Sequence, residues 1–293
     1  MLRSRGPFRS SWGLALAAVV ASGGCGRPVD CESLQLTADG RTSEVLVAAP
    51  PPIGRLRLWA PEAIMSDNGA CSVYPVGEPW QQQGHRLVQR VGRMGNFGPG
   101  NVEPIDEHTL ECAGVRFAKD SPVEWDMTLT ARSDAVEFTI HVTNVGAHPI
   151  RRAGAAICLK FLDAPWWQDE RVFVRSGGAI RSLAELGRDA GPPNGFEAYL
   201  LRGERFENVF YQQFWGFNRN GLDLPTMITE HPGGLCVGIT ARRAYFLHSN
   251  CHNPCTDIML ALGDIPPTAS AVASGCVFVR RGCAADWLGP ASR

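Results

Sequence analysis

The densest group of reactive side chains in the sequence is His248, Asn250, Cys251, His252 and Cys255, all within the segment HSNCHNPC. Two chemistries fit these residue types at this spacing. His248, Cys251 and Cys255 offer soft metal ligands, but no second ligand pair stands at the separation of a zinc ribbon. A disulfide between Cys251 and Cys255 would instead brace a loop that presents Asn250 and His252 to a ligand. That second arrangement is the expectation here, with no metal and no other cofactor. His252 is then the first candidate for proton transfer, because imidazole ordinarily titrates nearest neutrality. Glu230 and His231 precede the apolar run at Gly234, and Arg242 and Arg243 end it. His231 and Glu230 are thus further acid–base candidates, on what would be the same rim.

Aromatic and cationic residues suggest a ligand class. Trp166 and Trp167 are adjacent, so in an extended segment one indole points away from the core, and Trp215 sits in YQQFWGFNRNG with Gln212, Gln213 and Asn218. Such rings stack on the apolar faces of pyranoses while amides address hydroxyls. Their other use is to anchor a core or a loop. Arg171, with Arg175 behind it, and Arg242 can fork onto the carboxylate of an acidic sugar, or stand as solvated strand-edge charge. Lys160 is one of only two lysines, the other being Lys119. Alternation in ICLKFL puts Lys160 with Cys158 on the face opposite Ile157, Leu159 and Phe161. There it meets water, or it lies beside His141 on a concave polar face and donates to a saccharide.

The elements that must position these groups read as strands. Val123, Trp125, Met127 and Leu129 alternate with Glu124, Asp126, Thr128 and Thr130, and Val136 to Thr143 repeats the pattern across a turn at 131–135. A hairpin is predicted there. Shorter runs occur at 44–48, 55–59, 71–76, 85–91, 157–162, 171–175, 234–241, 258–262 and 275–280, punctuated by 32 glycines and 21 prolines. Ile180 to Gly187 is the best helix candidate, and 188–194 reads as loop. The fold class expected is all-β, an antiparallel sandwich with few short helices.

The segment VEFTIHVTNVGAHPI, the LDAPWW turn, the Gly263–Pro267 turn and the closing strand GCVFVRRG together resemble the galactose mutarotase-like β-sandwich superfamily. The resemblance runs over roughly residues 69–283 and implies a saccharide ligand on a concave sheet face. It also implies a general-acid histidine in the strand after the Thr-Asn turn and a glutamate base near the carboxyl end. Here the first position falls in ICLKFL, which has no histidine, and Cys251, His252 and Asn253 stand near the second. A standard aldose epimerase mechanism is therefore not expected.

Arg3, Arg5 and Arg9 precede the apolar stretch Trp12–Val20 and the small residues Ala21 to Gly24, the order of a secretory leader. Cys25 follows directly, as in a lipoprotein leader, so lipidation of Cys25 and ordinary cleavage both remain open, the first making a membrane tether. Residues 1–24 are read as leader, 25–32 as tether, 33–287 as a single sandwich domain and 288–293 as tail. Export puts the ten cysteines in an oxidising compartment, with Cys276–Cys283 a second local pairing. Twenty-eight basic against 29 acidic residues give a net charge of -1, which removes broad attraction to nucleic acid. No Gly-X-Ser-X-Gly elbow and no phosphate-binding loop occurs. The function expected is an exported carbohydrate-binding or carbohydrate-active protein. The alternative is a non-catalytic envelope lipoprotein that serves as a structural or protein-interaction module.

Overall fold

The structure, a computed structural model, describes residues 34–38, 44–66, 69–72, 81–83, 86–94, 103–104, 109–112, 115–118, 123–162, 164–188, 196–205 and 216–289. Trp215, Cys25 and the leader lie outside the described residues.

Strands are numbered along the chain. The first sheet runs β1 (Gln35–Ala38), β2 (Glu44–Ala48), β3 (Arg55–Ser66), β12 (Ile150–Phe161), β20 (Cys255–Ile265), β19 (Ala244–Asn250), β15 (Phe196–Leu201) and β16 (Gly216–Leu222), with β4 (Gly69–Ser72) on the far half of β3. The second runs β5 (Gln81–Gln83), β6 (Arg86–Met94), β10 (Val123–Ala131), β11 (Ala135–Asn144), β21 (Ser270–Arg281), β18 (Leu235–Ala241), β17 (Thr226–His231), β13 (Val172–Ser176) and β14 (Ala179–Ser182). All these pairings are antiparallel except β15 with β16. Ser176 pairs with Leu222, which joins the sheets along one edge. A small separate sheet holds β7 (Glu103–Pro104), β8 (Thr109–Cys112) and β9 (Val115–Ala118).

The core follows from alternation. Leu56, Leu58, Ala155, Ile157, Leu159, Ile258 and Leu260 from the first sheet share one cluster with Met127, Leu129, Phe138, Ile140, Val237, Ile239, Val277 and Val279 from the second. Fully burying each Val, Leu, Ile, Met or Phe side chain of this kind contributes about 1.5–3 kcal/mol, so this shared layer holds the two sheets face to face. The predicted hairpin is present, with Val123 opposite Asn144 and Ala131 opposite Val136. Asn144 is completely buried and pins the turn that follows: its Nδ2 donates to the carbonyls of His148 (2.8 Å) and Ile265 (2.9 Å), and its Oδ1 accepts from Gly146 N–H at 2.9 Å.

Two expectations change. The helix expected over 180–187 begins as strand β14, and only the single turn α1 (Leu183–Leu186) is helical, started by a capping box between Ser182 and Glu185. The expected disulfides do not form either: Cys251, Cys255, Cys276 and Cys283 are all free thiols. Asn250 stands opposite Cys255, so Cys251 falls in the exposed turn while Cys255 points into the buried face. Cys276 lies within β21, which continues extended to Arg281 and separates it from Cys283 by roughly 3.3 Å per residue, beyond the reach of a disulfide.

The outer face of the second sheet is closed at the carboxyl end. Ile228, Cys236, Phe278, Ala284 and Leu288 form a cluster under the one-turn helix α2 (Ala285–Leu288). Arg280 stacks between Phe278 and Trp287, with its guanidinium carbon 5.1 and 4.8 Å from the two ring centroids, and pairs with Asp134 at 2.6 Å. The Phe278 ring lies over Gly238, where any Cβ would be in hard contact with it.

Candidate functional site

Strand register, rather than any local motif, assembles the site. Directly opposed residues of an antiparallel pair share a face, and the pairings of β3, β12, β20, β19 and β15 line up three transverse rows on the face opposite the core. The first row is Arg57, Lys160, Cys255 and Asn250, and the second is Trp59, Cys158, Asp257, His248 and Ala198. The third is Ala63, Ala156, Met259, Phe246 and Leu200, an apolar floor that belongs to its own cluster. A polar strip thus runs across the sheet beside an apolar one.

Exposure falls off across the strip from its β3 end. Arg57, Trp59 and Lys160 are partly exposed, whereas Cys158, Cys255, Asp257, His248 and Asn250 are buried. His248 Nδ1 donates to Asp257 Oδ2 at 2.6 Å, which fixes the imidazole against the carboxylate. Cys255 Sγ approaches the same oxygen at 3.8 Å. The Cys158 thiol is pushed well up, first by its hydrogen bond with Cys255, then by burial and by the charges of Asp257 and Glu62. The Cys255 thiol is lowered by that same bond, but burial and the two carboxylates leave it raised overall.

Glu62 enters from an irregularity in β3. The β3–β12 register slips between Ala156 and Cys158, where Pro61 and Glu62 sit between the two regularly paired halves of the strand. Its side chain keeps some exposure, yet the surrounding protein desolvates the carboxyl. Burial first, and the Asp257 charge second, push it up to about 8.

The residues expected from sequence are spread over several places. Lys160 lies in the strip and Asn250 at its end, where Asn250 Oδ1 accepts from the backbone N–H of His252 (2.9 Å) and Asn253 (3.2 Å) and so closes the turn after β19. His252 is exposed in that turn. His141 is exposed on β11, in the other sheet, so it does not stand beside Lys160. Arg242 is exposed at the β18–β19 turn. Glu230 Oε1 accepts from Ala284 N–H at 2.5 Å and thereby ties α2 to β17. Trp167 is buried in the shared core. Trp166, His231 and Arg171 do converge: the Trp166 and His231 rings meet edge-on at 4.7 Å, and burial together with the Arg171 charge lowers the imidazole pKa.

Sequence reasoning missed Asp257, Glu62, Trp59, Arg57 and the role of Cys158. A signal was present for two of them. Glu62 and Asp257 are single carboxylates inside otherwise apolar runs, APEAIM and CTDIMLAL, where a buried charge needs a partner.

No family model matches the chain, and no curated protein matches it. Among solved structures, a galactose mutarotase related enzyme from Lactobacillus acidophilus is 8% identical with a TM-score of 0.44, covering 88% of this chain and 98% of that one. A galactose mutarotase-like protein from Lactobacillus casei is 9% identical with a TM-score of 0.41, covering 85% and 98%. One from Clostridium acetobutylicum is 8% identical with a TM-score of 0.40, covering 85% and 99%. These likenesses fall in the superfamily that the sequence resembles. The all-β class rests on the strand pairing itself.

Proposed function

We propose that the protein binds an acidic saccharide on the polar strip of the first sheet. The observation that carries this reading is the arrangement of Trp59, Arg57 and Lys160, partly exposed, on the same face as the buried His248–Asp257 pair, with Cys158 and Cys255 between them. An indole supplies a platform for a pyranose ring, and two adjacent cations suit a carboxylate or a row of hydroxyls. The resemblance of the sequence to mutarotase-like sandwiches supports the same ligand class. Export of the chain by its amino-terminal leader, with Cys25 as the acylated residue, belongs to this proposal and places the binding face at the cell envelope.

The test is thermal unfolding of the purified chain with neutral and uronic-acid saccharides at millimolar concentration, since a ligand that prefers the native state raises Tm by mass action. Uronic acids are expected to raise Tm and neutral sugars to do so less. Trp59→Ala and Lys160→Ala should each weaken binding about tenfold, the loss of roughly 1.4 kcal/mol. A panel without any shift would contradict the proposal. So would an undiminished shift in both variants.

A further inference from the structure

We propose that Cys158, Cys255 and Asp257 form a three-ligand site for a soft divalent cation of the zinc class. The Sγ atoms of the two cysteines and a carboxylate oxygen of Asp257 all lie within 4.8 Å of one another, and all three residues are buried. Two thiolates on one tetrahedral zinc, each at about 2.3 Å, stand roughly 3.8 Å apart. The side chains therefore need to close by no more than about an ångström to share an ion.

The sheet explains why the donors converge. Cys255 and Asp257 are two residues apart on β20 and so share a face, and Cys158 stands directly opposite Asp257 on β12. Cys158 and Cys255 are diagonal neighbours. Diagonal Cα atoms lie roughly 7–8 Å apart across a sheet, beyond the usual disulfide span of up to about 6.8 Å. The geometry favours a bridging ion over a disulfide.

A second observation concerns the same carboxylate. Asp257 is buried, its Oδ2 is engaged by His248, and its Oδ1 is a buried acceptor with no hydrogen-bond partner among the described residues. A carboxylate oxygen in that position normally carries a substantial cost, which a coordinated cation removes. His248 holds the carboxylate in place from behind, as outer partners of metal ligands do. Binding displaces the two thiol protons to solvent. The resulting negative site lies beside the cations of Lys160, directly opposite Cys255, and Arg57, directly opposite Lys160. Three protein ligands leave the fourth tetrahedral position for water. The inference stands on these donors and does not depend on the saccharide reading.

The experiment uses the full chain purified without chelator. Elemental analysis after incubation with zinc and desalting should find one equivalent per chain, and cobalt(II) substitution should give a thiolate-to-cobalt charge-transfer band. Cys158→Ser and Cys255→Ser should each abolish the band, Cys283→Ser should leave it unchanged, and His248→Ala should weaken metal affinity 10- to 100-fold. A parallel measurement needs no variant: zinc should slow alkylation of Cys158 and Cys255 in the wild-type chain, and a chelator should restore it. Failure to retain zinc, a cobalt band indifferent to both cysteine variants, or a Cys158–Cys255 cross-link in the non-reduced peptide map would each overturn the site.

Discussion

Asn144 shows how one side chain secures a feature that spans the fold. Its three hydrogen bonds reach the turn after β11 and the end of β20, and all are made by a residue with no exposure. Asn144→Ala removes one side chain but strands two carbonyls and one N–H. The expected loss is about 2–3 kcal/mol of unfolding free energy, measured by urea denaturation with an unchanged m-value. A loss below half of that would mean water replaces the amide. The Thr-Asn pair that marks the family resemblance thus has a structural use in this chain. At the same scale, Trp166, His231 and Arg171 form a compact group at a different part of the molecule. Substituting His231 by Ala should leave uronic-acid binding on the polar strip within twofold of wild type, as read by the same Tm titration.

Among the elements, β12 carries the strip in its regularly paired second half, beyond a departure from regular pairing near Arg152. That residue has φ 48°, and Gly263, opposite the next residue Ala153, has φ 80°. Asp264 clamps the irregularity, accepting from Arg152 N–H at 2.9 Å and from Arg151 NH1 at 2.7 Å. These bonds, the backbone one foremost, lower the Asp264 pKa below its ordinary value. Because the folded pKa is depressed, the stabilisation is present above the unfolded carboxylate pKa and is lost as pH falls through the folded value. Asp264→Asn should therefore cost about 0.5 kcal/mol at neutral pH, modest because the pair is solvent-exposed, and nothing in strong acid. A cost that persisted unchanged in acid would assign the effect to shape rather than charge.

The hairpin of β10 and β11 was legible because one of its faces is solvated and the alternation is strict. The strand β19, AYFLHSN, was not, since both faces are buried and period two disappears into a continuous run. The strand β20 was legible only in part, as the run 258–262, because Cys255–Ala261 is likewise buried on both faces. The site escaped sequence reasoning for a related reason: Trp59, Cys158, Asp257 and His248 come from four strands, and only the register of those strands makes them neighbours. His248, Cys251 and Cys255 offer soft ligands in the sequence, but the expectation there is a Cys251–Cys255 disulfide without a metal, and the turn directs Cys251 outward.

Taken as a whole, the molecule is two sheets around one apolar layer, with distinct clusters on the outer face of each. The polar strip borders one of these, and α2 seals the other. Leu288 has no exposure although it lies close to the chain end. Leu288→Ala should cost about 2–4 kcal/mol, and removal of residues after Gly282 should cost more, read as a lower midpoint in denaturant. Neither change touches the first sheet, so saccharide affinity below the new midpoint should be retained. Among the described residues no helix is long and apolar enough to cross a membrane.

The most direct measurement is a crystal structure of the chain with the uronic-acid ligand that gives the largest Tm shift. The expected result is a sugar ring over Trp59 with its carboxylate within hydrogen-bonding reach of Arg57 and Lys160. Density at Trp166 and His231 instead, with the strip unchanged, would contradict the assignment of the binding face.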